Sequence, residues 1–507
     1  MRLAKRRVLV AAVLMLLGGL AWAQADATLA TLRHTTQREP ENVMAWTLLG
    51  EAYLLANRLE EAKGAFLEAI ALDFLAGDAH FGLGLTEYAR GDYEAALFSF
   101  EVLTRFFPER FDAHFNRAVT LARLRRVEEA VESFQEALRQ AAPEASNEDR
   151  VSAYLGLASQ LGLVERFDEV VQAYEQALAL RGPDTELSLR HGEALYRAGR
   201  GLEALPSLTE LEEQTSDFRA SALIADIYLQ ARQTSRALWF LQRALRRAEA
   251  ADNRNVQANL LINLGLLQRG LGREAEAVSS FSQAARLDPN SWQAHYNLGL
   301  SYLEGGQPRS ALTALEQALP LNRDSGELLL ALATAQDQLG LTDEALRNAQ
   351  AAAGRLADPG LQSDATFIVG RALHRLSDYR GALAALSQVV AAQPDNAAAQ
   401  LWVGLAQFQL QDFRAAAQSF ERAVQLDPNS ITARINLGAA YLAARRFQDA
   451  ELVYQLILQQ NATDAEAHFN LGWALISQGR REEARAAWQR AQQLGFQPAA
   501  NALREHF

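Results

Sequence analysis

Apolar residues along this chain come in two bursts of helical spacing, and the double burst returns every 34 residues. Between Val43 and Ala76 the first burst is Trp46, Leu49, Gly50 and Tyr53, at steps of 3, 1 and 3. Steps of three and four place side chains on one face of an α-helix. Asn57-Arg58-Leu59 interrupts the pattern, and a second burst follows with Ala62, Phe66 and Ala69. Each segment therefore predicts a helix, a short turn and a second helix. Gly50 and Ala62 are small enough to let the two helices approach closely, while Trp46, Tyr53 and Phe66 fill the space around that contact. Prolines break the second helix in several copies, at Pro108, Pro289, Pro394 and Pro428.

The period shows in the glycines. Gly50 precedes Gly84 by 34 residues, Gly265 precedes Gly299 by 34, and Gly404, Gly438 and Gly472 keep the same step. A period of this length marks a solenoid, whose single core lengthens with each added unit. The 507 residues are thus one array rather than three or four globular domains. Alanine, leucine, glutamine, arginine and glutamate dominate, and all favour helix.

On these residues the chain resembles the tetratricopeptide repeat family, whose pattern is a large residue, Leu-Gly, Tyr, then Ala, an aromatic, Ala and Pro. The match is close at Trp292, His295, Tyr296-Asn297-Leu298-Gly299, Tyr302, Ala311, Leu315 and Ala318. It is close again at Asn436-Leu437-Gly438, Tyr441, Ala450 and Tyr454. The resemblance implies an all-α fold, a right-handed superhelical solenoid of antiparallel helix pairs. About thirteen units begin near residues 43, 77, 111, 151, 185, 218, 258, 292, 326, 363, 397, 431 and 465. The unit near Gly326 departs from the pattern, with Ala333, Ala345 and Ala349 and no aromatic, and the unit near Thr185 has Leu208 in the aromatic place. Extra residues enter at Ala145–Arg150, Asp252–Gln257 and Gly360–Gln362, where longer second helices are expected. They group the units as 43–144, 151–251, 258–359 and 363–498, with a capping half-repeat over 24–42 and a capping helix over 499–507.

The first 23 residues read as a secretory signal peptide. Four positive charges in Met1–Arg7 precede the apolar run Val8–Leu17, and Ala21-Trp22-Ala23 and Ala23-Gln24-Ala25 offer cleavage after Ala23 or Ala25. The run is shorter than the roughly 20 residues of a spanning helix, so an uncleaved inner-membrane anchor is the lesser alternative. This predicts a periplasmic or secreted protein with no membrane span after cleavage. The net charge is −12, and removing the leader leaves 45 basic against 61 acidic residues, or −16. Such a balance argues against nucleic acid as a partner, since phosphate binding needs clustered bases. No cysteine is present, which removes disulfides, thiol nucleophiles and thiolate metal sites.

No constellation for chemistry emerges, so no catalytic, cofactor or metal residue is assigned. His80, His114, His295 and His468 occupy one repeated place in their units, held by Trp46 in the first, which marks a packing duty. Phosphate-loop and nucleophile-elbow motifs are missing. The family resemblance implies that first helices line a concave groove through their second, fifth, ninth, twelfth and thirteenth residues. Those positions are apolar near the start (Phe81, Leu85, Tyr88, Phe115, Val119), acidic in the middle (Glu186, Glu193, Asp226) and apolar again toward the end. Leu85, Val119, Leu405 and Trp473, at a usually polar position, are candidate contacts, together with Tyr88 and Phe408. Arg371, His374 and Arg375 share one helix face and form a candidate site for a partner carboxylate. The expected function is a non-catalytic protein–protein interaction scaffold in the cell envelope, binding protein or peptide segments of envelope complexes. The alternatives are a holdase for exported polypeptides, or a periplasmic component of a secretion, pilus or polysaccharide-export machine. Self-association stays open.

Overall fold

The computed structural model describes residues 22–140 and 145–507. The leader lies outside these residues apart from Trp22 and Ala23, which open the first described helix, Trp22–Arg38. Thirteen helix pairs follow, their first helices beginning at Val43, Gly77, Phe111, Asn147, Thr185, Phe218, Arg254, Trp292, Gly326, Pro359, Ala397, Ile431 and Ala465. A last helix, Gln497–His506, lies over the thirteenth pair, its Ala499 and Ala502 buried with Trp488. The chain divides into two compact units, residues up to Arg247 and residues from Ala248 onward.

Within each pair one contact sets how closely the helices lie. The eighth residue of the 34-residue unit is glycine in nine pairs, and sixteen residues later stands a large, buried side chain. A Cβ at Gly50, Gly84, Gly265 or Gly404 would stand 2.6 or 2.7 Å from the ring of Phe66, Phe100, Phe281 or Phe420. At Gly438 and Gly472 it would meet Tyr454 at 2.5 Å and Trp488 at 2.2 Å. The ring therefore lies flat on bare backbone, where full burial of a phenylalanine contributes about 1.5–3 kcal/mol. Four pairs carry Ala118, Ala158, Ala225 and Ala333 in the glycine place. In the ninth pair the facing residue shrinks with it, to Ala349.

The turn inside every pair places one residue in the left-handed region. These are Asn57, Arg125, Glu165, Arg232, Ser377, Gln411 and Arg445, and glycines 91, 199, 272, 306, 340 and 479. The caps are local as well. Asn42, Ser291, Asn396, Ser430 and Asp464 each accept a hydrogen bond from the backbone N–H three residues on, starting a first helix.

The inserted residues extend the first helices, contrary to the expectation from sequence. Asn147–Leu163, Arg254–Gly270 and Pro359–Arg375 each have 17 residues where most first helices have 13 or 14. The reason is capping: Ser146 and Asp149 form a reciprocal capping box, Asn253 accepts from Val256, and Asp358 accepts from Leu361 ahead of Pro359. Each cap starts its helix one turn early. Among the described residues, only the second helix ahead of Asp252–Gln257 is lengthened as well, as expected there: Thr234–Ala250 has 17 residues.

Consecutive pairs are joined by a polar latch. In seven of the described pairs the fourth residue of the first helix reaches a carbonyl six residues back, in the turn ahead of that helix. Trp46 Nε1 donates to Pro40 O at 2.9 Å, and Gln362 Nε2 donates to Leu356 O at 2.5 Å. The Nε2 atoms of His80, His114, His295 and His468 lie 2.9–3.1 Å from the carbonyls of Phe74, Pro108, Pro289 and Ala462. A carbonyl only accepts, so each of these histidines carries its proton on Nε2. Arg434 reaches Pro428 O in the same way. The repeated histidine is a joint, as its periodic placement indicates.

Two outcomes test this account. Gly404→Ala is expected to cost about 1–3 kcal/mol in urea melts, because the new methyl overlaps the Phe420 ring, and Phe420→Leu in that background should recover part of the loss. Gly64→Ala, with nothing within 4 Å of its Cβ, should be neutral or stabilising by up to about 1 kcal/mol. Equal effects at the two sites would refute the contact. Burial, partly offset by the carbonyl bond, holds the pKa of His80 and His114 below the ordinary imidazole value. The unfolded chain therefore binds protons first, and stability present above about pH 6.5 falls as the solution is acidified. His80→Gln keeps the donor without the titration, so its melting temperature should fall less than the parent's between about pH 7 and 5.

Candidate partner-binding face

The first helices expose one face, and the side chains expected to bind partners fall on it unevenly. Leu85 is only 9% exposed and packs with Phe81, Phe100 and Leu103 inside its own pair. Tyr88 is half-buried; its hydroxyl accepts from Arg123 Nε at 3.0 Å and its ring stands edge-on to Tyr93. Val119 leans on the long core cluster of the first unit. Leu405 and Phe408 lean on the cluster around Phe420 and Tyr454, with Phe408 edge-on to Phe413. Trp473 stands edge-on to Trp488 at 5.2 Å and to His506 at 5.3 Å, so the last helix covers part of its ring. These side chains have internal neighbours and partly exposed surfaces; Leu85 alone is buried.

The basic face is built as the sequence indicates, but it already holds a carboxylate. Arg375 Nη1 lies 2.6 Å from Asp337 Oδ1, and Arg371 Nη1 lies 3.2 Å from Asp337 Oδ2. Asp337 comes from the first helix of the preceding pair and is 4% exposed. A buried carboxylate needs this pairing, since an isolated ion loses its hydration with no return. Arg371 also lies over the rings of Trp402 and Phe367, at 5.4 and 5.7 Å. His374 stands edge-on to Tyr379 and Trp402, and burial holds its pKa below the ordinary imidazole value. The signal missed in the sequence is Asp337 itself, 34 residues before Arg371.

In front of this triad lies an open cleft of about 330 Å³ between helices Gly326–Leu339 and Pro359–Arg375. Leu330, Ile368 and Phe367 form its apolar wall, and Thr334, Asp364 and Arg371 its polar rim. Burial, and then the neighbouring Asp358, push the Asp364 carboxyl above its usual range. No hydrogen bond or ion pair holds Asp364 among the described residues, so the cleft presents an unmatched carboxylate beside an arginine.

In the middle acidic stretch, Glu186 receives Arg190 at 2.9 Å and Arg219 at 2.8 Å, while burial alone pushes the Asp226 carboxyl up. Three exposed apolar side chains on one first helix were not singled out by sequence: Met44 at 71% and Leu55 at 63%, with Leu48 between them. They lie four and seven residues apart on Val43–Leu55 and share one face. Their signal was apolar residues at places that are polar in other units. Among the described residues no group of three or more His, Cys, Asp or Glu could hold a metal ion, and no helix is long and apolar enough to cross a membrane.

Models of the tetratricopeptide repeat match residues 22–146, 262–360 and 369–495. Comparison with curated proteins returns no match. Among solved structures, the chain is similar to the APC/C hetero-tetramer Cut9-Hcn1, at 15% identity over 82% of this chain and 93% of that one, with a TM-score of 0.37. It is similar to YrrB, a TPR protein with an unusual peptide-binding site, at 22% identity over 38% of this chain and 95% of that one, TM-score 0.34. Pseudomonas aeruginosa pilF aligns at 15% identity over 42% of this chain and 96% of that one, TM-score 0.37. Helix pairs of constant register, matched to the repeat model over more than half the sequence, make this chain a member of the tetratricopeptide repeat family.

Proposed function

We propose that this chain is a non-catalytic scaffold of the cell envelope whose partner segments lie along the exposed face of the first helices. The observation that carries the reading is the cleft between helices Gly326–Leu339 and Pro359–Arg375. It combines an apolar wall with an unmatched carboxylate and an arginine, which suits a partner side chain that is apolar in its stem and polar at its tip. Leu405, Phe408 and Trp473 add further contacts on first helices of the same unit, and Tyr88 and Val119 offer contacts of their own in the first unit, each a partly exposed apolar surface on a rigid helix. Arg371 and Arg375 keep donors beyond those held by Asp337, since a guanidinium has five. His374 contributes the edge of its ring.

The envelope location rests on the leader read in residues 1–23, and the partners on the family's habit of binding proteins and peptides. A holdase for exported chains is the second reading, favoured by Met44, Leu48 and Leu55, whose exposure without a polar partner fits loose apolar capture.

A photo-crosslinking residue at Gln338, on the cleft rim, should capture a discrete envelope protein in cells, and the same residue at exposed Ser279 on a second helix should not. Asp364→Lys should lower capture at Gln338 by about fivefold or more while leaving helix content unchanged. Equal capture at both positions would overturn the cleft reading. A broad smear at Gln338 with suppression of client aggregation would favour the holdase. Fractionation of the full chain and of a form lacking residues 1–23 checks the location, with only the full chain expected outside the cytoplasm.

A further inference from the structure

This acidic chain carries a strongly basic surface on a second helix, away from the face discussed above. Residues 231–250 contain five arginines and one glutamate, in a protein whose net charge is −12. Helix Thr234–Ala250 sets Arg236, Trp239, Arg243 and Arg246 at steps of 3, 4 and 3. Such steps confine the four side chains to an arc of about 80° over roughly 15 Å of helix. Arg232 adds a fifth side chain from the turn just before the helix.

The stripe is exposed and partly preset. Trp239 is 47% exposed, and the Arg243 guanidinium lies 5.1 Å from the centre of its ring. Arg243 and Arg247 both reach the buried carboxylate of Glu212, on helix Gly201–Gln214, and Ser221 Oγ donates to the same Oε1 at 2.9 Å. That anchor fixes the centre of the stripe. Arg236 makes only a hydrogen bond to Gln233 and lies 5.5 Å from the Tyr228 ring, while Arg232 and Arg246 have no ion pair among the described residues.

From this arrangement we infer that the outer face of helix Thr234–Ala250 docks an acidic peptide segment of a partner protein. Such a segment would set its carboxylates on Arg232, Arg236 and Arg246 and one apolar side chain on Trp239. Guanidinium groups take carboxylates in paired hydrogen bonds, and a tryptophan flanked by arginine offers a flat apolar anchor. The stripe is one helix wide, which fits a single extended or helical segment. The adjoining helix, tied to it through Glu212, exposes Glu210 and Glu213, neither in an ion pair among the described residues. A bilayer or a nucleic-acid duplex would meet both helices together and be repelled by the second.

The test uses the full chain and a fluorescein-labelled peptide of about twelve residues, roughly half of them glutamate, with one central leucine, long enough to span the stripe. A peptide with glutamine for glutamate is its control. The acidic peptide should bind, the control should not, and binding should weaken as salt rises. Arg236→Glu with Arg246→Glu should weaken it by about tenfold or more, and Trp239→Ala by about threefold to tenfold. Arg309→Glu, an exposed arginine in the second unit, should stay within about twofold of the parent. Arg236→Gln with Arg246→Gln, checked for unchanged helix content by circular dichroism, should show the same loss if reversed charge harms folding.

No binding, or an equal loss with Arg309→Glu, would overturn the inference. So would tighter binding, through the same arginines, to vesicles of about 30% phosphatidylserine or to a short single-stranded DNA. A change of oligomeric state in the stripe variants would assign the face to a second copy and overturn it too. None of these outcomes touches the cleft at Gln338, so this face and the first-helix face fail separately.

Discussion

The packing of a large side chain onto a bare glycine backbone is the constraint from which the rest of this structure follows. A helix pair lays a phenylalanine, tyrosine or tryptophan directly on the opposite backbone where that helix offers no Cβ. Gly438 opposite Tyr454 and Gly472 opposite Trp488 show the contact, where a Cβ would stand at 2.5 and 2.2 Å. Because the two partners stand sixteen residues apart in one chain, the contact repeats with the unit and writes the 34-residue period into the sequence. Four pairs relax it with an alanine, and in one of them both sides shrink. Ala333 faces Ala349, and the burial moves to Leu328, Leu332 and Ala335 on the same first helix. Residues 147–261, outside the family matches, hold the relaxed contacts Ala158 with Tyr174 and Ala225 with Leu241.

Between pairs the apolar core continues, as Gly82 against the Phe66 ring of the preceding pair shows, and directed polar bonds are added to it. The donor at the fourth position of a first helix closes on a carbonyl six residues back, whether it belongs to tryptophan, histidine, glutamine or arginine. Where the latch forms it uses an N–H at the end of a planar group, and these four residues share little else; Leu329 stands at the place in the ninth pair and is buried instead. Buried acids make the second kind of joint. Glu87 receives Lys63 from the preceding second helix at 2.7 Å, Asp337 receives Arg371 and Arg375, and Glu212 receives Arg243 and Arg247. Each acid sits under two bases, which offsets the cost of removing its charge from water. A pair of helices thus coheres by shape, and neighbouring pairs are held in register by directed bonds.

The fold was legible because period and shape are both local properties. Gly50, Phe66 and their counterparts need no distant partner to be recognised. Helix starts were harder to place. The inserted residues were visible at Ala145–Arg150, Asp252–Gln257 and Gly360–Gln362, yet their effect depended on Ser146, Asn253 and Asp358 acting as caps, which adds a turn to the first helix. A cap is read from one residue and its backbone geometry, and the apolar pattern says nothing about it. The binding face was less legible still. Position within a helix tells which way a side chain points, but not whether another side chain already meets it. Leu85 points as expected and is covered by its own pair; Arg371 and Arg375 point as expected and hold Asp337. Overall charge misled in the opposite direction, since a net of −12 hid five arginines within twenty residues.

An array of pairs has two sets of helices, and each set keeps one face free of the core. The buried contact lies between them, so side chains on either face can change without disturbing the glycine and its ring. This separation explains why the chain can carry an apolar cleft with mixed charge on a first helix and a basic aromatic stripe on a second. Both places are organised by a buried acid that is not itself exposed. Asp337 holds Arg371 at the rim of the cleft, and Glu212 holds Arg243 under Trp239. An arginine fixed in this way loses less rotamer freedom when a partner arrives, so the ordering cost falls on folding and not on association. The acid that joins two pairs is then also the element that prepares the surface above it.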